Sequence, residues 1–285
     1  MTVGVALTLR MASTSALPPP ADGPAVLVGA GDIAECDSEA DEATAALLDD
    51  IPGTVFTTGD NAYPKGLHEN FADCYEPSWG RHKDRTRPAP GNHDFGERRG
   101  AGYYRYFGAA AGEPGKGYYS YELGGWHVVV LNSECHRVGC EPGSEQEVWL
   151  REDLAAHPAQ CTVAIWHNPR FSSGRYGDDD AYQPFWEALY EHGAEVVVNG
   201  HEHLYERFAP RAPDGTPDPE RGLRQFTVGT GGGNLRGFES IQEGSEARGE
   251  AHGVLKLTLH AGSYDWEFVP VEDGAFTDAG SGTCH

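Results

Sequence analysis

Apolar positions along this chain cluster in short blocks separated by polar, glycine-rich stretches. Ala25 to Gly29 is a continuous apolar run, and Thr54 to Thr57 is a β-branched and aromatic one. Trp126 to Leu131, Thr162 to Trp166 and Glu195 to Asn199 repeat the type. Short runs of this kind, bounded by Gly, Pro or Asp, read as strands buried on both faces. Helical patterns lie between them. Asp41 to Asp50, with Ala43, Leu47 and Leu48 apolar, joins the first two strands into a βαβ unit. Ser144 followed by Glu147 is a capping-box signature opening a helix through Leu150 and Leu154 to about His157. Pro184 to His192, closed by Gly193, predicts another, with Phe185 and Leu189 facing inward. Tyr118 to Leu131 predicts a hairpin turning at Gly124-Gly125. Tyr63 to Pro88 is polar, aromatic and irregular, and a long loop is expected there. Three later strands are expected at Gln225–Val228, Val254–His260 and Tyr264–Val271. Gly231–Gly233 reads as a turn, because no lysine lies in it and no helix clearly follows, which removes a P-loop.

Strands alternating with helices, with no Pro/Ser-rich linker between them, predict an α/β fold in one large domain over residues 25–285. Residues 1–24 are rich in Ala, Thr, Ser and Pro and are expected to be a flexible tail or a signal remnant. No run reaches the roughly 18 apolar residues of a spanning helix. The formal net charge is -23, from 21 Lys+Arg against 44 Asp+Glu. That balance argues against nucleic acid or an anionic membrane as partner, since both need a positive footprint. It also means that any anionic substrate must be attracted by the site itself.

Candidate chemistry sits where the apolar runs end. The first strand runs into Gly31-Asp32, and the second into Gly59-Asp60-Asn61-Ala62-Tyr63. In a βαβ unit the two aspartates stand at the same sheet edge, where open α/β sheets bind ligands. A carboxylate at Asp60 has two oxygens and can bridge two metal ions, and Tyr63 can reach one of them. Pro88-Ala-Pro-Gly-Asn-His-Asp then supplies Asn92, His93 and Asp94. The strand at Thr162 delivers His167, and the strand at Glu195 delivers His201 and His203 through a turn at Gly200. Taken singly, each segment is an ordinary turn. The ordered set is specific, because independent turns rarely all deliver N or O ligands after β-rich runs. His68, His82, His127 and His260 have no such context and are expected in surface or core roles.

This set resembles the calcineurin-like metallophosphoesterases, and within them the purple acid phosphatases, in which a tyrosine stands where Tyr63 does. The matching pieces are Gly31-Asp32, Gly59-Asp60-Asn61-Ala62-Tyr63, Gly91-Asn92-His93-Asp94, Ala164-Ile165-Trp166-His167 and Gly200-His201-Glu202-His203. The resemblance implies a four-layer α/β/β/α sandwich of two mixed sheets, with ligands at the strand carboxyl ends. It implies that Asp32, Tyr63 and His203 hold one metal, that Asn92, His167 and His201 hold the other, and that Asp60 bridges. Phenolate from Tyr63 favours iron(III), and the N-rich set suits Zn, Mn or Fe(II). The implied reaction is hydrolysis of a small phosphate ester by metal-activated water, with His93 as general acid. Asn168 and Arg170 are candidate phosphate contacts. Two positions depart from the family pattern: Ala34 stands where a glycine is usual, and Ala164 where a valine is. The alternatives are a Mn/Zn phosphodiesterase acting on cyclic nucleotide or lipid diesters, and a non-catalytic metal- or phosphate-binding module.

Six cysteines occur in no CxxC pattern. Free buried thiols are one reading, and about fifteen full pairings are the other. The expected set is Cys135–Cys140, close in sequence around Gly139, and Cys36–Cys74, whose loops must meet over one metal. Cys161–Cys284 remains. Pairing implies a secreted or extracytoplasmic protein rather than a cytoplasmic one.

Overall fold

The computed structural model describes residues 23–271 and 276–285, so the expectation for residues 1–22 lies outside the described residues. Two mixed sheets form the centre. In the first, β1 (Ala25–Ala30), β2 (Thr54–Thr57) and β3 (Thr86–Pro88) run parallel. In the second, β4 (Tyr119–Leu123) and β5 (Trp126–Val130) form the expected hairpin, and β5 continues in parallel through β6 (Thr162–Ile165) and β7 (Val196–Asn199). After β8 (Tyr205–Phe208), β9 (Arg224–Val228) adds to β7 in parallel, and β8 pairs with β10 (Ser245–Gly249) at the edge. The chain then returns to the first sheet as β11 (Gly253–His260), β12 (Ser263–Pro270) and β13 (Asp278–Thr283), all antiparallel. The sheet orders are β13-β12-β11-β1-β2-β3 and β10-β8-β9-β7-β6-β5-β4.

Side-chain alternation explains why the inner strands read as continuous apolar runs. Val128 and Val130, Val163 and Ile165, and Val196 and Val198 enter the core shared with β1 and β11. Their neighbours Val129, Ala164 and Val197 join Leu150, Leu154, Phe185 and Trp186 of the helices Glu145–Ala156 and Gln183–Glu191 on the outer face. Successive residues of a strand point to opposite sides, so a strand covered on both sides is apolar at most positions, and the polar ones it carries, such as His127, must be partnered. The unusual Ala164 therefore faces the helices. Ala34 is fully buried and takes part in a parallel bridge to Ala62, so a methyl group is accepted there.

Two expectations for this chain are corrected. The segment after Tyr63 is not a loop but a helical excursion, His68–Asn70, Phe71–Tyr75 and Trp79–Arg85, ending in β3. Phe71, Tyr75 and Trp79 recur every four residues, which puts them on one helical face, and all three are buried. Trp79 Nε1 donates to Thr44 Oγ1 at 3.0 Å, fixing the excursion to the helix Ala40–Asp50. The C-terminal part also holds more strands than expected. β13 carries Gly280 and Gly282 opposite Trp266 and Tyr264 of β12, and a Cβ at either glycine would lie within 2.4 Å of an aromatic ring. The glycines make room for rings that cover the strand, so β13 forms despite its poor β propensity.

All three expected disulfides are present: Cys36–Cys74, Cys135–Cys140 and Cys161–Cys284. The last closes a loop of 123 residues and fastens the end of the first sheet to β6 of the second. Closing so long a loop contributes roughly 4–5 kcal/mol in the chain-entropy account. No helix among the described residues is long and apolar enough to cross a membrane.

A buried ion pair ties the outer helix to the second sheet. His127 on β5 donates from Nε2 to Asp153 at 2.8 Å and from Nδ1 to Glu122 at 2.7 Å. Burial alone would lower the pKa of His127, but the Asp153 and Glu122 carboxylates more than offset it and raise it above the usual value. The imidazolium is thus favoured in the folded chain. Its stabilisation is full below the unfolded pKa near 6.5 and is lost as pH rises through the folded value. His127→Asn should cost about 1–3 kcal/mol at pH 6, because Asp153 then keeps only Ser120 at 2.8 Å and the half-exposed His157 at 3.3 Å as partners. Urea titrations of both proteins across pH should show the gap narrowing as pH rises; a gap that widens contradicts the assignment.

Candidate metal centre

The carboxyl edges of β1, β2, β6 and β7 meet where the two sheets abut, and each delivers one or two polar residues immediately after its last strand residue. The joint is made by backbone and side chain together. Gly31 N donates to Val228 O at 2.9 Å, and His201 N donates to Asp32 Oδ2 at 2.8 Å. Three of the delivered residues sit in left-handed backbone: Asp32 at φ 57°, Asp60 at φ 51° and His201 at φ 69°. Each such residue costs on the order of 1 kcal/mol and persists only where its surroundings hold it. Arg99 is the one other non-glycine residue of this kind among the described residues. Gly91 permits a close approach, since a Cβ there would lie 2.4 Å from both the Asp60 nitrogen and its Oδ1.

Seven side chains converge in two groups that share one atom. Tyr63 OH lies 3.1 Å from Asp32 Oδ1, 3.2 Å from Asp60 Oδ2 and 3.1 Å from His203 Nε2. His167 Nε2 lies 3.1 Å from Asn92 Oδ1, 3.2 Å from His201 Nδ1 and 3.3 Å from the same Asp60 Oδ2. The histidines are oriented from behind. His167 Nδ1 donates to Thr58 O at 2.8 Å and His203 Nδ1 to Asn234 O at 2.8 Å, which leaves both Nε2 atoms facing the cluster. Asp94 pins the loops by accepting from Asn61 N, Asn61 Nδ2 and Gly91 N at 3.1, 2.8 and 2.9 Å. His93 stands at the rim. Its backbone nitrogen donates to Asp60 Oδ1 at 2.7 Å, its Nδ1 donates to Pro64 O at 2.6 Å, and its Nε2 is 3.9 Å from Asp60 Oδ2.

The charge balance of this cluster is incomplete. Asp32 and Asp60 are 0% and 2% exposed, and no Lys or Arg nitrogen lies within 4.0 Å of either among the described residues. Buried carboxylates without a cationic partner are costly. Despite burial, Asp32 is held well below the usual carboxylate range by His203, and Asp60 is lowered by His167. His167, also buried, is pushed up to about 10, chiefly by Asp60. His201 is lowered to about 4 by burial and the neighbouring His167 charge. Burial and the two carboxylates raise the Tyr63 phenol well above its ordinary value. Among the described residues, therefore, imidazolium is the only counter-charge to these carboxylates. Donor atoms 3.1–3.3 Å apart are spaced as ligands around one ion at about 2.1 Å are, and carboxylate, phenol, amide and imidazole are metal ligands by chemistry. These residues fit a pair of metal ions sharing Asp60.

The family model for calcineurin-like phosphoesterases matches residues 22–205. The chain belongs to that family. Among its curated relatives are several purple acid phosphatases. Purple acid phosphatase 15 of Arabidopsis thaliana is 29% identical over 198 residues, covering 56% of this chain and 37% of that protein. Purple acid phosphatase 23 of the same plant is 30% identical over 225 residues, covering 65% and 48%. The chain thus spans half or less of the length of these relatives. Among solved structures, purple acid phosphatase PPD1 from yellow lupin (Lupinus luteus) superposes with a TM-score of 0.73 at 18% identity, covering 93% of this chain and 55% of that one. GAP50, the anchor in the inner membrane complex of Plasmodium, also gives 0.73 at 12% identity, with 93% and 90% covered. These two likenesses concern the fold alone.

Of the residues singled out in the sequence, Asp32, Asp60, Tyr63, Asn92, His93, His167, His201 and His203 are brought together. Asn168 and Arg170 are engaged with other residues. Asn168 Oδ1 accepts from Ser133 Oγ at 2.9 Å, and the Arg170 guanidinium is buried over the Phe171 ring and paired with Asp180 at 2.7 Å. A different arginine is at the rim. Arg236 donates its backbone nitrogen to His203 O at 2.9 Å and a side-chain nitrogen to Tyr176 OH at 3.4 Å, while the Tyr176 ring stacks on His201 at 4.4 Å. Arg236 follows the Gly231–Gly233 turn, whose Gly233 nitrogen donates to Asp32 O at 2.7 Å. That turn lies at the carboxyl end of parallel strand β9, and its position there was the available signal.

Removing metal with a chelator should lower the thermal midpoint, because the buried carboxylates lose their counter-charge. At a free metal concentration a hundredfold above Kd the stabilisation is about 2.7 kcal/mol, or roughly 5–10 °C for a chain of this size. Calorimetric scans of stripped and reloaded protein should show that difference, and Asp60→Asn should reduce it; equal midpoints would contradict the fit.

Proposed function

We propose that residues 25–285 form one catalytic unit, a metal-dependent phosphatase that hydrolyses small phosphate esters. The observation that carries this reading is the pair of donor groups sharing Asp60 Oδ2, with a rim histidine beside them. Asp32, Tyr63 and His203 would hold one ion, Asn92, His167 and His201 the other, and Asp60 both. When bound, two such ions activate water and polarise phosphoryl oxygens. The chain's own residues do the rest. Thr58 and Asn234 fix the rings of His167 and His203, Asp94 holds the Gly91 and Asn61 loops in place, and Asp60 orients the His93 backbone. Because His93 donates from Nδ1 to Pro64 O, Nε2 is the atom that can carry a proton to the departing ester oxygen. Phenol oxygen in one donor set and a nitrogen-rich second set favour iron(III) beside Zn, Mn or Fe(II). Three disulfides favour an extracytoplasmic location.

His93→Ala tests the proton role. Metal content should stay at that of the wild type, and turnover of an alkyl phosphate should fall by about 10²–10⁴-fold. Nitrophenyl phosphate, whose leaving group needs no proton, should lose much less. Equal losses for both esters would end the assignment. A panel of mono- and diesters read alongside elemental analysis separates a phosphatase from a phosphodiesterase and from a module that only binds. Tyr63→Phe should abolish the colour of iron-loaded protein while leaving the fold intact; a colourless, fully active zinc protein would remove iron from the account.

A further inference from the structure

A cavity of about 610 Å³ is lined by Phe95, Arg98, Arg99, Lys116 and Arg137, with Glu113 as its one carboxylate. Its position follows from the chain. Phe95 ends the same helical turn, Asn92–Phe95, that carries Asn92 and His93. Arg137 lies 4.7 Å over the Phe95 ring and 3.7 Å from Glu134, a buried carboxylate close enough to feel the charges of His167 and Asp60. Cavity and centre are thus neighbours across His93 and Glu134.

Four of the 21 Lys+Arg residues line this one space, on a chain whose net charge is -23. Their partners differ. Lys116 is held by Glu113 at 3.2 Å and Glu145 at 2.8 Å, and Arg137 by the more distant Glu134. Arg98 and Arg99 are exposed, and neither has a carboxylate oxygen within 4.0 Å among the described residues. Arg99 is held at φ 60° in the turn before Gly100. Guanidinium forks match phosphate oxygens two at a time. On a surface this acidic, unpaired arginines gathered at a cavity mouth create the local attraction that the overall charge denies to an anion.

We propose that this cavity is a subsite for a second phosphate on the substrate's alcohol, so that the preferred substrates are bisphosphorylated esters rather than simple monoesters. The proposal rests on the phosphatase reading above and narrows its substrate class. With one phosphate at the metal centre, the second lies on the leaving-group side, beyond His93, and is received by Arg98, Arg99 and Arg137. Neither Arg98 nor Arg99 takes part in the chemistry, so their removal leaves hydrolysis of a monoester unaffected.

The test compares pentyl phosphate with pentanediol bisphosphate on the metal-loaded enzyme, in the wild type and in Arg98→Gln/Arg99→Gly, where glycine suits the left-handed backbone. Two exposed ion pairs at about threefold each predict a roughly tenfold rise in KM for the bisphosphate, with kcat and the pentyl phosphate constants unchanged. Added salt should shrink the wild-type preference in the same direction. Calorimetric titration with pentane bisphosphonate and pentyl phosphonate measures the same preference without turnover. If neither ester is hydrolysed, the phosphatase reading fails, and the phosphonate pair still decides the cavity: a bisphosphonate preference lost in the variant upholds it as an anion site. Equal affinity for the two phosphonates, or an equal loss for both esters in the variant, overturns the proposal.

Discussion

Two buried aspartates that no lysine or arginine neutralises dominate the design of this molecule. Asp32 and Asp60 lie at the joint of two sheets, where water cannot solvate them, and their nearest cationic candidates are histidines. A carboxylate in such a place is tolerated only if something positive is supplied. Everything around the joint reads as preparation for that supply. Imidazole rings are aimed by backbone carbonyls, a phenol is inserted between the two carboxylates, and an amide oxygen from Asn92 closes the second group.

The fold makes this arrangement affordable. Parallel strands put all their carboxyl ends on one side, so five separate segments can be brought to one edge without long excursions. Left-handed turns at Asp32, Asp60 and His201 then swing each side chain across the edge, and the rigid strands behind them hold the strain. Distant parts of the chain share the load: the Gly231–Gly233 turn braces Asp32, and the Cys161–Cys284 bond fastens the two sheets to each other.

Much of the candidate centre was legible in the sequence because most of its donor residues stand within a few residues of a strand end, so local order is enough to single them out. The βαβ start, the hairpin, the capped helix after Ser144 and the Cys135–Cys140 pair are local signals of the same kind, whereas Cys161–Cys284 spans 123 residues and followed only as the pair left over. What escaped depends on contacts between distant segments. β13 has no strand propensity of its own and forms under Trp266 and Tyr264. The aromatic repeat of Phe71, Tyr75 and Trp79 was masked by the polar residues between them. Arg170 looked like a phosphate contact because it follows His167 closely, yet Asp180 and Phe171 claim it. Arg236 and Arg137 lie far from any motif, and only the folded chain shows where they go; Arg98 and Arg99 follow Asp94 by four and five residues but carry no pattern that marks them.

The chain's acidity and its reading as a phosphatase are compatible only if positive charge is concentrated at the site, and bound ions are the main source in this account. Anomalous diffraction at the metal edges tests that most directly. The account predicts two peaks, one beside Asp32, Tyr63 and His203 and one beside Asn92, His167 and His201, each in contact with the Asp60 carboxylate. A crystal of metal-loaded, active protein with no peak at Asp60, or with ions bound only elsewhere, would contradict it.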